Sequence, residues 1–219
     1  MIAIVDYGGG NLRSVFRAVC AANARQTQPD EVLLVSDPEQ LRRADRVIFP
    51  GQGAMPDCMA SLERSGLAAA LREAMRERPF FGICVGQQML FDRSEEGDTP
   101  GLGIFPGQVI RFSAARGAVS PDGRALKVPH MGWNQVAFCR PHPVLSGLPD
   151  QAQAQWFYFV HSFHAAPARE DDVLGVSEYG GRFACAVARD NLIATQFHPE
   201  KSAAAGQQLL VNFCQWKPS

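Results

Sequence analysis

The pentapeptide Gly82-Ile83-Cys84-Val85-Gly86 does most to decide how this chain folds. The apolar run Pro79-Phe80-Phe81 precedes it, and the run Gln87-Gln88-Met89-Leu90-Phe91 that follows is typical of a helix. A sharp turn from a strand into a helix needs small residues on both sides, and the two glycines of the pentapeptide meet that need. The pattern predicts a nucleophile elbow that presents Cys84 at the carboxyl end of a strand.

A cysteine in such an elbow is expected to be a nucleophile. The free backbone N–H groups and the positive end of the following helix would favour the thiolate of Cys84. The alternative is a structural cysteine in the core, because free cysteine is among the most buried residue types. A second motif is needed to choose between the two.

That motif is Thr195-Gln196-Phe197-His198-Pro199-Glu200-Lys201. A thiolate nucleophile needs a general base, and the base needs a group that orients it. Residues two apart in an extended segment point to the same side, so His198 and Glu200 are predicted to meet. A lone histidine is more often structural and a glutamate more often solvated, but the two motifs together indicate catalysis. We predict Cys84 as nucleophile, His198 as base and later acid, and Glu200 as the orienting carboxylate.

Acyl transfer through cysteine also requires donors for the oxyanion. The N–H of Val85 in the elbow is one candidate. The loop Pro50-Gly51-Gln52-Gly53 ends the preceding predicted strand, and its glycines permit a close approach, so Gln52 or Gly53 is the second. An ordinary turn is the alternative for this loop. Gln88 lies one helical turn after the nucleophile and is a candidate to bind a polar substrate, although helix glutamines are more often surface residues.

The composition limits the possible functions. With 219 residues, 46% of them apolar, the chain is predicted to form one domain, residues 1–219. A formal net charge of −1 gives no electrostatic basis for binding nucleic acid or a membrane surface. No apolar run approaches the length of a membrane span.

The cysteines indicate the compartment. None of the six forms a C-x-x-C pair and only five histidines are present, so we predict no metal and no cofactor. The chain length argues against a disulfide framework, and thiols that stay reduced indicate the cytosol. The N-terminal segment Met1-Ile2-Ala3-Ile4-Val5-Asp6 has no positively charged region or long apolar stretch, so it is predicted to be a core strand rather than a signal peptide.

The first half of the chain alternates strand and helix signals. Apolar runs predict strands at 2–5, 32–35, 47–49 and 80–84. Helices are predicted at 12–19, 56–64 and 67–77, with a short one after the capping-box pair Ser36 and Glu39. This alternation predicts an α/β fold with a mostly parallel sheet covered by helices on both faces.

The second half is rich in short β segments. Strands are predicted around 102–110, 125–128, 134–138, 156–160, 173–176, 183–188 and 192–197, and a final helix at about 202–216. The turn Arg189-Asp190-Asn191 predicts a hairpin before the last strand. Antiparallel strands are therefore expected to extend the parallel core. The segments 97–101 and 116–123 are the predicted loops.

The loop Gly8-Gly9-Gly10 follows a strand and opens a helix, as phosphate-binding loops do. It lacks the G-x-G-x-x-G spacing and a Lys-Ser/Thr pair. A tight turn is the preferred interpretation.

Six motifs resemble a known family. The segments Gly82-Ile83-Cys84-Val85-Gly86-Gln87-Gln88 and Gln196-Phe197-His198-Pro199-Glu200 resemble the class I, triad-type glutamine amidotransferases. Four further segments are similar to one branch, the glutaminase subunits of imidazole glycerol phosphate synthase: Asp6-Tyr7-Gly8-Gly9-Gly10-Asn11-Leu12, Pro50-Gly51-Gln52-Gly53-Ala54, Val128-Pro129-His130-Met131-Gly132-Trp133-Asn134 and Tyr158-Phe159-Val160-His161-Ser162. The last two segments separate this branch from other glutaminases, and the resemblance spans nearly the whole chain.

The resemblance implies a flavodoxin-like fold and the hydrolysis of L-glutamine to glutamate and ammonia through a thioester on Cys84. It also implies delivery of the ammonia to a TIM-barrel cyclase subunit, which makes imidazole glycerol phosphate and aminoimidazole carboxamide ribotide in histidine biosynthesis. Motif positions imply a glutamine-binding set, Gly51, Gln88, Glu96, His161 and Ser162. They also imply a partner-facing set, Asn11, Trp133, Tyr158 and Lys201. Without the resemblance, the aromatic residues would be interpreted as core, Lys201 as a solvated charge and Asn11 as a helix cap.

Two positions depart from the family pattern. Gln52 stands where the loop is often apolar, and Phe163 stands where a tyrosine is frequent, which removes a hydroxyl from the substrate region. Neither position belongs to the predicted triad.

Three alternatives remain open. The chain is a glutaminase of another synthase, a cysteine peptidase of similar fold that acts without a partner, or a non-catalytic subunit that kept the fold. The complete set Cys84, His198 and Glu200 argues against the last.

Overall fold

The structure, a computed structural model, describes residues 1–9, 11–112, 126–148 and 155–218. The helices in these ranges are α1 (Leu12–Asn23), α2 (Pro38–Arg42), α3 (Met55–Ser65), α4 (Ala68–Glu77), α5 (Val85–Gln88) and α6 (Ala203–Gln215). The strands are β1 (Ile2–Val5), β2 (Val32–Val35), β3 (Arg46–Gly51), β4 (Phe80–Cys84), β5 (Phe91–Ser94), β6 (Thr99–Pro100), β7 (Phe105–Arg111), β8 (His130–Phe138), β9 (Gln155–His161), β10 (Phe163–Pro167), β11 (Val173–Glu178), β12 (Arg182–Arg189) and β13 (Leu192–Thr195).

The centre of the sheet is parallel. Its strand order is β2-β1-β3-β4-β13, and each neighbouring pair is parallel. All residues of β1, β4 and β13 are buried, because a parallel strand in the middle of an α/β sheet is covered on both faces. The run of fully apolar strands in the sequence has this physical origin.

Helices cover both faces of this centre, as predicted. The chain runs from β1 through α1 to β2 in one direction across the sheet, and then returns through α2 to β3 and through α3 and α4 to β4. Since such crossovers are right-handed, α1 lies on one face and α2, α3 and α4 lie on the other. Helix α6 packs against α1, and Gln207 of α6 donates to the carbonyl of Ala18.

The second half adds antiparallel strands, which confirms the predicted extension. Strands β12, β10 and β7 continue the sheet beyond β13 in antiparallel pairs. Strand β11 joins β12 to β8, and β8 pairs with β9 in a long antiparallel ribbon. The hairpin at Arg189-Asp190-Asn191 is confirmed, with Asp190 at φ 52 between β12 and β13.

Several local predictions were wrong. The side chain of Asp37, and not Ser36, caps α2 by accepting from the N–H groups of Glu39 and Gln40. The helix after the elbow is one turn and ends at Gln88, because the chain then enters β5. Residues 126–128 lie in no strand, since β8 begins at His130; residue 125 and the predicted loop 116–123 lie outside the described residues.

Strands β5, β6 and β10 were not predicted. Each is short and carries charged or polar residues, so neither periodicity nor composition marks it. The glycine loop after β1 forms a turn in which the N–H of Gly8, at φ 93, donates to the carboxylate of Asp6. Gly10 lies outside the described residues.

The described helices include none that is long and apolar enough to cross a membrane. The hydrophobic core runs through the sheet and includes residues from Ile2 in β1 to Trp216 after α6. The predicted nucleophile lies at the carboxyl end of β4, and the predicted oxyanion loop follows the carboxyl end of the neighbouring β3.

Candidate active site

Cys84 sits at the last position of β4 with φ 56 and ψ −114. A non-glycine residue with positive φ is strained, and such strain persists only where the surrounding structure enforces it. Here β4 lies between β3 and β13 and all five of its residues are buried, so the strand is held from both sides. The predicted elbow is confirmed as a geometric feature.

The glycine that follows the elbow is required by packing. A Cβ on Gly86 would lie 2.0 Å from the carbonyl oxygen of Phe49, so only glycine lets α5 rest on β3. The register then pairs Gly51 with Cys84 across the two strands. The loop that follows β3 is therefore next to the nucleophile, as predicted from the order of the strands.

A hydrogen bond to α3 constrains the same loop. The backbone carbonyl of Gln52 accepts from the Sγ of Cys58, at 3.3 Å. Gly53 adopts φ 96, a conformation that side chains rarely tolerate. Gln52, Gly53 and Val85 all line the same cavity as Cys84. Their roles as oxyanion donors stay predictions.

His198 and Glu200 form a buried pair. The Nδ1 of His198 lies 2.8 Å from Oε1 of Glu200, and the two side chains are 6% and 2% exposed. A carboxylate can only accept, so Nδ1 carries the proton and Nε2 is left to face other groups. The backbone of His198 is also held, because its N–H donates to the carbonyl of Tyr158.

The reason given for this contact was wrong, although the contact is present. His198 is extended, but Pro199–Lys201 forms a 3-10 turn rather than a continued extended segment. The turn swings Glu200 back onto the imidazole. It is supported by α6, where a Cβ on Gly206 would lie 2.0 Å from the carbonyl oxygen of Pro199.

The charge state of His198 is set by its neighbours. Burial works against protonation, but the contact with Cys84 and then the bond to Glu200 outweigh it and raise the pKa of His198 well above its usual range. Among the described residues, no group hydrogen-bonds Nε2 of His198 or Oε2 of Glu200, although both atoms are buried. Cys84 therefore acts on the imidazole through its charge and through a contact that is not an ideal hydrogen bond. Unpaired buried polar atoms are characteristic of sites that receive another group.

Cys84 and His198 line a cavity of about 360 Å³. Nine predicted site residues line it: Gln52, Gly53, Cys84, Val85, Gln88, Glu96, His161, Ser162 and His198. Three lining residues had no predicted role: Pro129, Val160 and Phe163. The cavity lies between the parallel centre and the β8–β9 ribbon, so both halves of the chain contribute to it.

Two predicted residues occupy different positions. Gly51 lies behind the cavity in a small crevice that it shares with Asn11, His198 and Glu200. Glu96 lines the cavity, but its Oε2 also accepts from the N–H of Met55 at 2.8 Å and so caps the start of α3. A carboxylate at a helix N-terminus is favourable because it faces the positive end of the helix dipole.

Three of the predicted partner-facing residues form one cluster. The rings of Trp133 and Tyr158 are 6.2 Å apart, and Nζ of Lys201 lies 5.6 Å from the centre of the Tyr158 ring. Trp133 is 49% exposed, so it is not the core aromatic that its residue type alone would indicate. Asn11 is exposed at the start of α1, where its side chain donates to Ser14. It lines a small crevice with Glu200, the residue before Lys201.

A second buried pair consists of two histidines. His130 in β8 and His161 in β9 face each other, with Nδ1 of His130 and Nε2 of His161 2.9 Å apart. Burial lowers the pKa of His130 to about 4 and that of His161 to about 3. The Nδ1 of His161 is 2.8 Å from the carbonyl oxygen of Phe163, so Nδ1 must carry the proton.

Two polar residues at the site were not assigned a role from the sequence. Gln196 is fully buried and its Nε2 lies 3.7 Å from the Sγ of Cys84. Ser202 donates to the carbonyl of His198 and accepts from the N–H of Tyr158. Gln196 lies two residues before the predicted base in the sequence, so its position was the available signal. The described residues include no cluster of three or more side chains able to hold a metal ion.

Comparison with known sequences gives consistent relatives. The family model for class-I glutamine amidotransferases matches residues 3–216. An imidazole glycerol phosphate synthase subunit HisH from Chromobacterium violaceum is 54% identical over 98% of this chain and 97% of its own length. The subunits of the same name from Neisseria meningitidis and Aromatoleum aromaticum are each 53% identical, over 98% and 99% of this chain and 99% of their own lengths.

Solved structures agree on the fold. A glutamine amidotransferase crystal structure superposes with a TM-score of 0.68 at 18% identity, covering 99% of this chain and all of the other. PurLQS from Thermotoga maritima gives 0.69 at 17% identity over 98% and 97% of the two chains. At this identity the likeness shows the fold alone. The sequence matches go further: the chain belongs to the class-I glutamine amidotransferase family and, within it, to the imidazole glycerol phosphate synthase HisH subunits.

Proposed function

We propose that this chain is the glutaminase subunit of an imidazole glycerol phosphate synthase and hydrolyses L-glutamine through Cys84. One observation carries the proposal beyond family membership. The buried His198–Glu200 pair leaves Nε2 of His198 unpaired beside a cysteine held at positive φ. Nucleophile, base and orienting carboxylate therefore converge from β4 and the turn after β13.

The first half of the reaction forms a thioester. With the thiol proton transferred to Nε2 of His198, the thiolate of Cys84 attacks the side-chain amide carbon of glutamine, and the carbonyl oxygen becomes an oxyanion. The N–H of Val85 and one from the Gln52–Gly53 segment are the donors that stabilise it. The intermediate collapses when the Nε2 of His198 gives its proton to the leaving nitrogen, which departs as ammonia.

The second half releases glutamate. His198, now neutral at Nε2, takes a proton from water while the water oxygen attacks the thioester carbon. The same donors hold the second oxyanion. The C–S bond breaks, glutamate leaves with the new oxygen, and the thiolate and imidazolium are restored. Glu200 holds the Nδ1 proton throughout, so it stabilises the charged imidazole without entering the bond changes.

Side chains at the cavity rim suit the amino-acid end of glutamine. The Glu96 carboxylate can receive an ammonium group with the oxygen that does not cap α3. Gln88 offers its amide oxygen, since its nitrogen is used by Phe163 and Gln196. His161 and Ser162 line the opposite wall, and Gly51 supports the loop from behind. Phe163 contributes a ring and its backbone carbonyl in place of the tyrosine that the family often has.

The ammonia is consumed by a partner. We assign that role to a TIM-barrel cyclase subunit that makes imidazole glycerol phosphate and aminoimidazole carboxamide ribotide. The cluster of Trp133, Tyr158 and Lys201 presents an exposed indole and a half-buried phenol beside a positive charge, and Asn11 is exposed at the start of α1. Exposed aromatic residues next to a positive charge are frequent in protein interfaces.

Two further points belong to the same proposal. The six cysteines are all free thiols, which supports a reducing compartment and hence the cytosol. A single domain over residues 1–219 is supported by the buried cluster that includes both β1 and Trp216.

The direct test is ammonia release from glutamine, with and without the purified cyclase subunit and its nucleotide substrate. We expect release in the complex and its loss, by more than about 10⁴-fold, in Cys84→Ala, because no other group can form the acyl intermediate. Synthesis from added ammonia by the complex should survive in the variant. Cys139→Ala, which removes an exposed thiol far from the cavity lining, is the matched control.

Near-normal release by Cys84→Ala would refute the mechanism. If the chain releases ammonia from glutamine only together with a different synthase, and not together with the cyclase, the alternative partner is favoured. Hydrolysis of peptides without any partner would favour the peptidase.

A further inference from the structure

The sulfur of Cys84 has a second polar neighbour besides His198. The side chain of Gln196 is fully buried, and its Nε2 is 3.7 Å from Sγ. Sulfur is a weak acceptor in its neutral form, but an N–H directed at a thiolate favours the charged form. His198 can take up the proton of the thiol, whereas the amide of Gln196 can only donate a hydrogen bond to the sulfur.

The direction of this amide is anchored by a backbone group. The carbonyl oxygen of Phe163 can only accept, so the atom of Gln88 that lies 3.0 Å from it is the nitrogen. The same NH₂ group donates to Oε1 of Gln196 at 2.9 Å. The other end of the Gln196 amide, which faces Cys84, must then be the donor.

The anchor is itself held from the opposite side. The Phe163 carbonyl also accepts from Nδ1 of His161 at 2.8 Å. That bond leaves Nε2 of His161 as an acceptor for Nδ1 of His130, and Nε2 of His130 accepts from Asn134 at 3.2 Å. Each bond in this chain has one allowed direction. The carbonyl that determines the orientation of Gln88 and Gln196 is therefore fixed by a network that reaches β8.

We propose that Gln196 is a further catalytic residue, which donates its side-chain N–H to the Cys84 sulfur and holds the thiolate in line with the amide carbon of glutamine. Gln88 and His161 are positioning residues for it, acting through the Phe163 carbonyl. The step is hydrogen bonding alone, and the proton of the thiol still passes to His198. This inference rests on the proposed glutaminase function only for its kinetic consequence.

The test is the pH dependence of Cys84 alkylation by iodoacetamide, which mass spectrometry of the Cys84 peptide monitors separately from alkylation of the exposed Cys139. Gln196→Leu removes the donor, and Gln196→Glu keeps an acceptor for Gln88 but places a carboxylate beside the sulfur. We expect the midpoint of the alkylation profile to rise by about 0.5 to 1 pH unit in Gln196→Leu. A larger rise is expected in Gln196→Glu.

The matched control is Gln87→Leu. Gln87, in α5, is as fully buried as Gln196, but its amide donates to the carbonyl of Ala194 rather than to Cys84. Its midpoint should stay within about 0.2 pH unit of the wild type. Thermal unfolding establishes which variants fold, and Gln196→Glu is scored if Gln196→Leu does not.

In the complex with the cyclase subunit, the Gln196 variants should lose about tenfold in kcat with KM nearly unchanged. An unchanged midpoint in a folded Gln196 variant would overturn the inference, whatever the kinetics. If wild-type complex releases no ammonia from glutamine, the proposed function fails, and the alkylation midpoints still decide whether Gln196 acts on Cys84.

Discussion

Two buried side-chain pairs near the cavity, His198–Glu200 and His130–His161, have opposite electrostatics. His198 bonds to Glu200 and contacts Cys84, and its pKa is raised. His130 and His161 bond to each other, and their pKa values are lowered to about 4 and about 3. Burial alone disfavours the imidazolium in every one of these residues. The difference therefore comes from the partner, which is anionic in one pair and neutral in the other.

The comparison separates chemistry from architecture. A histidine that must exchange protons with a thiol and a leaving group needs an anion to stabilise its charged form. A histidine that must hold a carbonyl in one direction needs to stay neutral, so that one nitrogen donates and the other accepts. Changes in the first pair should lower both rate and stability, and changes in the second should mainly affect stability.

The largest effect is expected for His198→Asn. Loss of the base should lower kcat for glutamine by more than about 10⁴-fold, because the members of such a triad act as a unit. The unfolding midpoint at neutral pH should fall as well, because the variant cannot form the buried charged pair with Glu200. Steady-state ammonia release and thermal unfolding together measure this. A retained kcat would remove His198 from the mechanism.

Glu200→Gln should have a smaller effect on rate. The amide keeps the size of the side chain but cannot stabilise the imidazolium, so we expect kcat to fall by about 10²- to 10⁴-fold, less than for His198→Asn. Glu178→Gln, a glutamate at the exposed end of β11, is a control that should leave kcat unchanged. An unaltered kcat in Glu200→Gln would show that another group orients the base.

His130→Phe should mainly lower stability. The ring stacks on Tyr179 and Phe159, and phenylalanine keeps that stacking while leaving Nε2 of His161 without a donor. An unsatisfied buried acceptor costs about 1–3 kcal/mol. Urea unfolding measures the loss, and the control is Tyr179→Phe, which keeps the stacked ring and removes only an exposed hydrogen bond to the carbonyl of Lys127. A large fall in kcat with unchanged stability would contradict the assignment.

The smallest effect is on the slope of stability with pH. The folded pKa of His130 is below the unfolded value of about 6.5, so the unfolded chain binds more protons between pH 6.5 and 4. Stability should therefore fall as pH falls through this window, by up to about 1.4 kcal/mol per pH unit for each such histidine. His130→Phe should reduce this slope by the contribution of about one proton, which is about 1.4 kcal/mol per pH unit.

The raised pKa of His198 has the opposite sign. Its contribution to stability is complete below pH 6.5 and is lost as pH rises toward the raised folded value. Urea unfolding of the wild type and His198→Asn between pH 7 and 10 should show a shallower decline in the variant. Parallel curves would mean that Cys84 and Glu200 do not stabilise the imidazolium.

The sequence was most informative where function depends on a short local pattern. The elbow around Cys84, the alternation that builds the parallel strands and the neighbouring position of the Gln52–Gly53 loop follow from glycine positions and strand order. These features involve contacts between residues that are close in the chain or adjacent in a regular sheet, so spacing is sufficient. The family motifs added the partner and substrate, which no periodicity carries.

Other features depend on segments that are far apart in the chain. The position of Gln196 two residues before His198 does not reveal that its amide faces Cys84 or that Gln88 and the carbonyl of Phe163 orient it, because three separate strands must assemble first. The 3-10 turn that brings Glu200 to His198 depends on Gly206 of α6 lying against Pro199. Local propensity marks residue types, whereas the direction of a hydrogen bond and the charge of a buried histidine are set by tertiary neighbours.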